Sequence, residues 1–268
     1  EEQGADRTVT GDRAEFLGRN GTMQRPAAMA RARLSGRVGA MLDPCAGIQV
    51  TFELGAGQER QLVFRMGVGA GIDETRALVT RFRGATASRV ALESVWDYWK
   101  RTLGAVQVET PDESLNALVN GWLLYQTLGC RVWARSGFYQ SGGAFGFRDQ
   151  LQDVMALIHA EARLTREQLL LCASRQFVEG DVQHWWHPPA GRGVRTRCSD
   201  DYLWLPLATC RYVFAIGDTG VLDETVPFLE GRAVHPDDES YYDMPGQAGD
   251  SASLYQHCVR AVRYGFRF

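Results

Sequence analysis

The chain has 268 residues, of which 45% are hydrophobic and 10% aromatic, as expected for a globular protein. Its 29 basic and 32 acidic side chains give a net charge of −3 and form no long run of either sign. This pattern argues against a nucleic-acid partner and against a polybasic membrane anchor. The length allows one large domain or two smaller ones.

The cysteines and the apolar segments indicate the compartment. Six cysteines lie scattered, without C-x-x-C spacing and without a histidine at ligand spacing, which predicts free thiols in a reducing, cytoplasmic environment. The sequence has no uninterrupted run of about 18 apolar residues, so no membrane-spanning helix is predicted. Its N-terminus has no apolar segment typical of a signal peptide. Because the sequence begins abruptly and stops inside an amphipathic pattern, we expect a part of a longer protein.

The N-terminal part has the period of β-structure. Residues 47–54 (GIQVTFEL) alternate, and residues 61–69 (QLVFRMGVG) follow a turn-like GAGQER segment. The two segments predict a β-hairpin. Residues 8–68 as a whole therefore indicate an edge of a β-sandwich or barrel.

The period changes towards that of a helix near Asp73. Residues 88–103 place apolar side chains on one stripe of a helix, and Pro111 is positioned to open the next one. Further helices are expected at residues 149–162 and 164–180, the latter with Thr165 and Gln168 in capping-box spacing. Two more are predicted to start at Ser199 and at 250–251. Successive helices without strands between them favour an α/α barrel or toroid.

Two long polar connections interrupt the helical part, at about residues 135–147 and 179–198, and such loops often carry binding groups. The first ends in FGFRDQLQD, where Asp149 and Asp153 lie on one helix face beside Arg148. These side chains suit recognition of sugar hydroxyls. Equally, they could complement the helix dipole, with Arg148 as their salt-bridge partner.

The second connection carries QHWWH. Its tryptophans, Trp185 and Trp186, suit the apolar faces of sugars, and His187 adds a polar group beside them. Buried aromatic packing is the alternative. A zinc site of His184 and His187 would need a third ligand, so no metal is predicted.

The segment RTRCSDDYLWLP follows, with Asp200 and Asp201 next to each other and Arg197 just before them. Ser199 and the two acids would suit a helix N-terminus. A carboxylic acid in a pocket walled by tryptophan would instead have a raised pKa, as a general acid needs. The local pattern leaves both roles open.

Four segments together carry a resemblance to glycoside hydrolase family 94. They are EFLGRNGT with the following RPAAMARARLSGRVGAMLDPCAGIQV, then GGAFGFRDQLQD, QHWWHPPAGRGVRTRCSDDYLWLP, and YDMPGQAGDSASLYQHCVRAVRYGF. Within the family, the chain most resembles the phosphorylase-like region of cyclic β-1,2-glucan synthases. The resemblance covers nearly the whole chain.

The resemblance implies a mainly α fold with an N-terminal β part. It divides the chain into a β-sandwich portion at residues 1–72, a helical linker at 73–110 and an incomplete (α/α)6 barrel at 111–268. The implied enzyme is a hexosyltransferase that inverts configuration: an Asp protonates the glycosidic oxygen while inorganic phosphate attacks the anomeric carbon, giving α-glucose 1-phosphate. Phosphate is already a nucleophile, so no second carboxylate is needed to activate water.

Carried onto this chain, the resemblance places the general acid in the SDD motif, at Asp200 or else at Asp201. The implied sugar-binding residues are Arg148, Asp149, Asp153, Trp185, Trp186, His187 and Arg197. The family's phosphate site would need residues beyond Phe268, so the 268-residue chain alone is expected to be inactive.

The expected partners are a β-glucan oligosaccharide and phosphate, with no other cofactor. The resemblance implies a larger chain, attached through other domains to the cytoplasmic side of the bacterial inner membrane, and a homo-oligomer is compatible with it. Two alternatives stay open: a free disaccharide or oligoglucan phosphorylase of another linkage, and a non-catalytic glucan-binding module.

Overall fold

A computed structural model of the protein describes residues 6–134 and 143–266. The chain forms two compact units that meet in the sequence between Trp96 and Asp97. Helices dominate the second unit, and the first contains the N-terminal β part that the sequence predicts. The three-part division at residues 72 and 110 stays a prediction.

The β part of the first unit is a two-stranded antiparallel sheet. Strand β1 (Arg7–Asp12) pairs with β2 (Pro44–Val50), and helix α1 (Arg13–Leu17) begins where the Asp12 carboxylate accepts a hydrogen bond from the Ala14 N–H at 3.0 Å. The predicted hairpin between residues 47–54 and 61–69 is therefore wrong, because β2 pairs with a strand some 40 residues earlier in the chain and residues 61–69 form no strand. Alternation predicts a strand but not its partner.

The helix bounds that the sequence predicts are only partly correct. They are α2 (Ile72–Arg81), α3 (Gly84–Leu103), α4 (Glu113–Ala117), α5 (Leu123–Gln126), α6 (Phe147–Met155), α7 (Ala162–Ala173), α8 (Trp204–Ile216) and α9 (Leu254–Gly265). π-Helical turns Leu118–Trp122 and Thr127–Val132 follow α4 and α5. Asp112, rather than Pro111, caps α4, because its carboxylate accepts from the N–H groups of Ser114 and Leu115.

Strands lie between the helices of the second unit, contrary to the prediction. Antiparallel strands β3 (Phe145–Gly146), β4 (Gln183–His187), β5 (Arg192–Thr196) and β7 (Ser240–Asp243) form one sheet in that order. A second sheet pairs β6 (Thr225–Glu230) with β8 (Gly246–Ser253). The segment predicted as a loop at 179–198 is thus largely the β4–β5 hairpin.

Two predicted helix starts are wrong for related reasons. Thr165 lies inside α7 and donates its hydroxyl hydrogen bond to the carbonyl of Val154 at 3.1 Å, so it forms no capping box. Residues 250–251 belong to β8, and α9 begins only after Ser253, whose hydroxyl accepts from Gln256. Thr165 uses its hydroxyl in a tertiary hydrogen bond, and Ser251 pairs with Pro227 of β6 within a sheet, so neither forms the cap that local spacing predicts.

The core of the second unit joins the helices to the sheets. Helices α6 to α9 supply most of its fully buried side chains, among them Phe147, Leu151, Leu169, Leu205 and Leu254. Trp186 of β4 and Val226 of β6 complete it from the two sheets. Among the described residues no helix is both long and apolar enough to cross a membrane.

Candidate active site

The sheet of the second unit brings the predicted site segments together. Gly146 of β3 pairs with Trp185 of β4, and Arg148 follows two residues later in α6. The β4–β5 hairpin then leads directly to the SDD segment. Close pairing in this hairpin requires glycine at position 193, since a Cβ there would lie 2.0 Å from the Trp185 carbonyl oxygen. Residues more than 50 positions apart thus meet at one place.

Asp200 lies where three donors converge on a half-exposed carboxylate. Its Oδ2 accepts hydrogen bonds from the Arg148 guanidinium at 3.1 Å and the Trp204 indole at 3.2 Å, and its Oδ1 lies 3.1 Å from the Cys198 thiol. The thiol hydrogen bond, with those from Trp204 and Arg148, lowers the pKa of Asp200 to about 2 against the opposing effect of burial. The side chain keeps 48% of its surface exposed.

The expectation of a raised pKa is therefore wrong for Asp200. The tryptophan beside it is Trp204, which donates a hydrogen bond as well as apolar surface. Stabilisation of the charged form by three donors, one of them the Arg148 cation, exceeds the cost of partial burial. Asp200 is thus ionised at neutral pH and can accept hydrogen bonds.

Asp201, by contrast, is buried and has a histidine partner. Its side chain is only 2% exposed, and its Oδ2 forms a hydrogen bond with His184 Nδ1. That bond raises the pKa of His184, although burial acts in the opposite direction. The other carboxylate oxygen, Oδ1, has no hydrogen-bond partner among the described residues. An unsatisfied buried carboxylate oxygen is costly and often marks a functional group.

Neither acid is used as a helix cap. A 3-10 turn, Asp201–Leu203, precedes α8, and α8 begins at Trp204 with Leu203 at its N-cap and no side-chain cap. The prediction that Ser199 caps this helix is wrong. The irregular turn places the two acids before the helix and points them to different partners.

Arg148 does not pair with its own neighbours in α6. It reaches Asp200, 52 positions away, while Asp153 accepts two hydrogen bonds from Arg131 Nε at 3.0 and 3.2 Å. Arg131 also lies 3.9 Å from Asp149. The salt-bridge alternative for the α6 acids is therefore realised with Arg131 instead of Arg148.

The aromatic pair of β4 divides between surface and core. Trp186 is 1% exposed and packs edge-on against Phe145, with the Arg175 guanidinium over its ring. Trp185 stays half-buried, and its ring lies 5.3 Å from His187 and 5.5 Å from Tyr242. The packing alternative thus holds for Trp186, while Trp185 and His187 form an accessible aromatic face with Tyr242.

Arg197 lies apart from these groups. It is exposed, its backbone N–H donates to Glu239, and its guanidinium donates to the carbonyl of His235. The arginine two residues earlier, Arg195, is instead buried, with both Asp181 oxygens 2.7 Å from its nitrogens. This ion pair anchors β5, the strand that leads into the acidic segment.

Sequence reasoning did not assign three of the side chains that form this site: His184 as a partner of Asp201, and Cys198 and Trp204 as donors to Asp200. Trp204 falls at i+4 from Asp200, a spacing that could have indicated the contact. The His184 contact depends on how β4 pairs with β5, which no local signal specifies.

Comparison with known protein families shows which family the chain belongs to. Residues 98–268 match the family model described as Glycosyl hydrolase 94 superfamily, catalytic domain. Residues 2–85 match Glycosyl hydrolase 94, supersandwich domain. The chain belongs to glycoside hydrolase family 94. The resemblance stated from the four segments is confirmed, and every candidate site residue falls within the family 94 catalytic domain.

Individual relatives point in the same direction. The chain is 44% identical over 94% of its length to the cyclic beta-(1,2)-glucan synthase NdvB of Rhizobium meliloti (strain 1021), covering 9% of that protein. It is 27% identical over 96% of its length to the N,N'-diacetylchitobiose phosphorylase of Vibrio proteolyticus, covering 33% of it. A 3-O-beta-D-glucopyranosyl-beta-D-glucuronide phosphorylase of Paenibacillus borealis is 26% identical over 93% of the chain, which covers 30% of it. The chain thus spans a third or less of these family 94 proteins.

Proposed function

We propose that the chain forms part of the catalytic region of an enzyme that cleaves β-1,2-glucan by inverting phosphorolysis, or transfers its glucosyl units to control chain length. Membership of family 94, with glucan synthase and phosphorylase relatives, supports a carbohydrate-active enzyme. The 44% identity to a cyclic beta-(1,2)-glucan synthase favours β-1,2-glucan among the substrates of the family.

The observation that carries the proposal is the pair of acids in different environments. Asp200 is half-exposed beside Arg148 and Trp204, whereas Asp201 is buried on His184. Two adjacent carboxylates held in such different surroundings are typical of a site that divides binding and proton transfer between them. We assign the general acid to Asp200, which a sugar can reach, with Asp201 as the alternative.

The proposed reaction needs a proton on the acid at the moment of cleavage. In the structure Asp200 is ionised, because Arg148 and two further donors stabilise its charge. A bound sugar ring would exclude water from the half-exposed carboxylate and compete for Arg148, and both changes raise the pKa of an acid. The protonated Asp200 would then protonate the glycosidic oxygen while phosphate attacks the opposite face of the anomeric carbon.

The remaining predicted residues receive roles according to their exposure. Trp185 and His187 would contact the apolar face of a glucosyl unit, and Arg148 would hold a hydroxyl or the acid itself. Asp149 and Asp153 would bind hydroxyls from α6, supported by Arg131. Trp186 would support Trp185 from the core. Arg197 would act at the rim of the site.

The proposal extends to the whole protein. Inorganic phosphate would be the co-substrate, with no further cofactor, and α6 to α9 would belong to an (α/α)6 barrel. By its relation to the glucan synthase, the full-length protein would act on the cytoplasmic side of the inner membrane. A homo-oligomer is compatible with this arrangement.

The test is an assay of the full-length gene product with β-1,2-glucan and phosphate, measuring glucose 1-phosphate. Asp200→Asn should lower the rate by about 10²–10⁴-fold, the usual contribution of a general acid. Asp73→Asn, at an exposed acid of the first unit, is the matched control and should leave it unchanged. A full loss in Asp201→Asn with activity retained in Asp200→Asn would transfer the role to Asp201.

A non-catalytic glucan-binding module is the second candidate, because Asp200 is ionised and paired with Arg148. It predicts glucan binding without product, unchanged by Asp200→Asn. Product formed from a different disaccharide, but not from β-1,2-glucan, would instead indicate a free phosphorylase of another linkage.

A further inference from the structure

Next to Asp200 the fold assembles three side chains that can ligate a metal. His184 of β4, and Cys198 and Asp201 after β5, each offer a ligand atom within 4.8 Å of the other two. Asp201 is buried and the other two are half-buried. The three residues are 14 and 3 positions apart, a spacing without the signature of a metal motif, so only the β4–β5 pairing reveals the group.

The chemistry of these ligands selects the ion. One imidazole nitrogen, one sulfur and one carboxylate oxygen suit Zn²⁺, whereas Mg²⁺ and Ca²⁺ prefer sites made of oxygen alone. A fourth ligand is at hand, because Asp200 Oδ1 lies 3.1 Å from Cys198 Sγ. Ligand atoms of a tetrahedral zinc are roughly 3.3–3.7 Å apart, so small side-chain movements would close the site.

An unsatisfied atom supports the assignment independently. Asp201 Oδ1 is buried and has no hydrogen-bond partner among the described residues. Leaving such an oxygen unsatisfied destabilises the folded state, because the desolvation of a charged group is not compensated. A cation bound to the Asp201 carboxylate would remove that cost.

The local charge also favours a cation. The carboxylates of Asp200 and Asp201 both lie close to the Cys198 thiol. A dication placed among these groups is attracted by both negative charges, and a coordinated thiol loses its proton. Arg148, the nearby cation, is bound to Asp200 Oδ2, which leaves the oxygen next to Cys198 available.

The site differs from the pairing of histidines that the sequence suggests. His187, three residues from His184, contacts the rings of Trp185 and Tyr242 instead of the acids. His184 contacts Asp201. The segment after β5 therefore places Cys198 and Asp201 beside His184, and His187 is not part of the group.

We propose that His184, Cys198 and Asp201 form a Zn²⁺-binding site, and that Zn²⁺ bound there reversibly inhibits the enzyme by occupying the acids of the catalytic site. Binding releases the thiol proton of Cys198 to solvent, His184 ligates through Nδ1 as a neutral imidazole with its proton on Nε2, and no electron is transferred. The binding part stands on geometry alone, whereas the inhibition part rests on the proposed function.

The first test needs no variant. In the full-length protein under metal-free reducing conditions, addition of Zn²⁺ should slow alkylation of Cys198 at least tenfold, followed by peptide mass spectrometry. Cys210, exposed on α8, is the internal control and should react at an unchanged rate. Equal rates at Cys198 with and without Zn²⁺ would overturn the proposal.

The second test uses calorimetric titration with Zn²⁺. Cys198→Ser and His184→Gln should each weaken one binding event at least 100-fold, whereas the matched variant Cys210→Ser should retain it. Co²⁺ should give a thiolate charge-transfer absorption band that Cys198→Ser removes. Unchanged affinity and absorption in the Cys198 variant would refute the site.

The experiments distinguish an incorrect metal site from an incorrect proposed function. Protection of Cys198 without any glucose 1-phosphate formation would support the metal site and contradict the function. Where the enzyme is active, Zn²⁺ should inhibit it, a chelator should restore it, and Cys198→Ser should weaken the inhibition. Activity indifferent to Zn²⁺ at concentrations that protect Cys198 would refute the inhibitory role.

Discussion

The buried ion pair of Arg195 and Asp181 gives a quantitative prediction. Arg195 is 2% exposed, and its guanidinium binds both oxygens of Asp181 at 2.7 Å, Glu179 at 2.9 Å and the carbonyls of Gly231 and Arg232. Burial by itself would lower the pKa of the guanidinium, but Asp181 more than offsets it, so the pKa is raised. The buried group is therefore charged and depends on its partner.

Asp181→Asn keeps the shape of the side chain but removes its charge and one of the two accepted hydrogen bonds. Removing one partner of a buried ion pair costs about 3–5 kcal/mol. Because Glu179 and two carbonyls still contact Arg195, we expect the lower end, about 3 kcal/mol. With a urea dependence of roughly 2 kcal/mol per molar, the unfolding midpoint should fall by about 1.5 M.

The assay is equilibrium urea unfolding of the purified protein, followed by circular dichroism and by tryptophan fluorescence. Glu179→Gln is the matched control, because Glu179 is 44% exposed and contacts the same guanidinium. Its loss should stay below about 1 kcal/mol, as for other exposed ion pairs. Equal losses for the two variants, or a loss below about 1 kcal/mol for Asp181→Asn, would refute the reasoning.

Three further predictions concern the site itself. Trp186→Ala should lower the free energy of unfolding by about 3–5 kcal/mol, because its indole is buried in the core; Trp185→Ala should cost less and instead weaken glucan binding, measured by calorimetry. Without metal, the alkylation rate of Cys198 should still rise between about pH 8 and 10, because its thiol pKa is raised to about 11. Asp201→Asn should lower the pKa of His184 in an NMR titration, since the Asp201 hydrogen bond raises it.

The His184 prediction has a consequence for stability. A raised histidine pKa stabilises the folded state below the unfolded pKa, and this contribution is lost as pH rises through the folded pKa. Asp201→Asn should remove that dependence. The opposite outcomes would contradict the predictions: equal stability losses for the two tryptophans, a Cys198 rate that levels off near about pH 9, or an unchanged His184 pKa.

Predictions based on local periodicity succeeded where the structure is itself local. The amphipathic stripe at residues 88–103 lies within α3, and the acids of α6 lie on a helix as expected. The hairpin β4–β5 was not predicted. Each of its strands is only five residues long, and the two tryptophans of β4 were assigned to a binding loop. Of the loop predicted at residues 135–147, residues 135–142 lie outside the described residues, and its last three residues form β3 and the start of α6.

The sequence by itself determined the family, the presence of helices from about residue 72 onward and the identity of the candidate acids, because helices and family motifs depend on nearby residues. Only the tertiary structure decided which groups pair: Arg148 with Asp200 across 52 positions, and His184 with Asp201 across 17. It also decided that Trp186 belongs to the core while Trp185 remains accessible. These outcomes depend on strand register and on burial, which bring distant residues together and which no local pattern specifies.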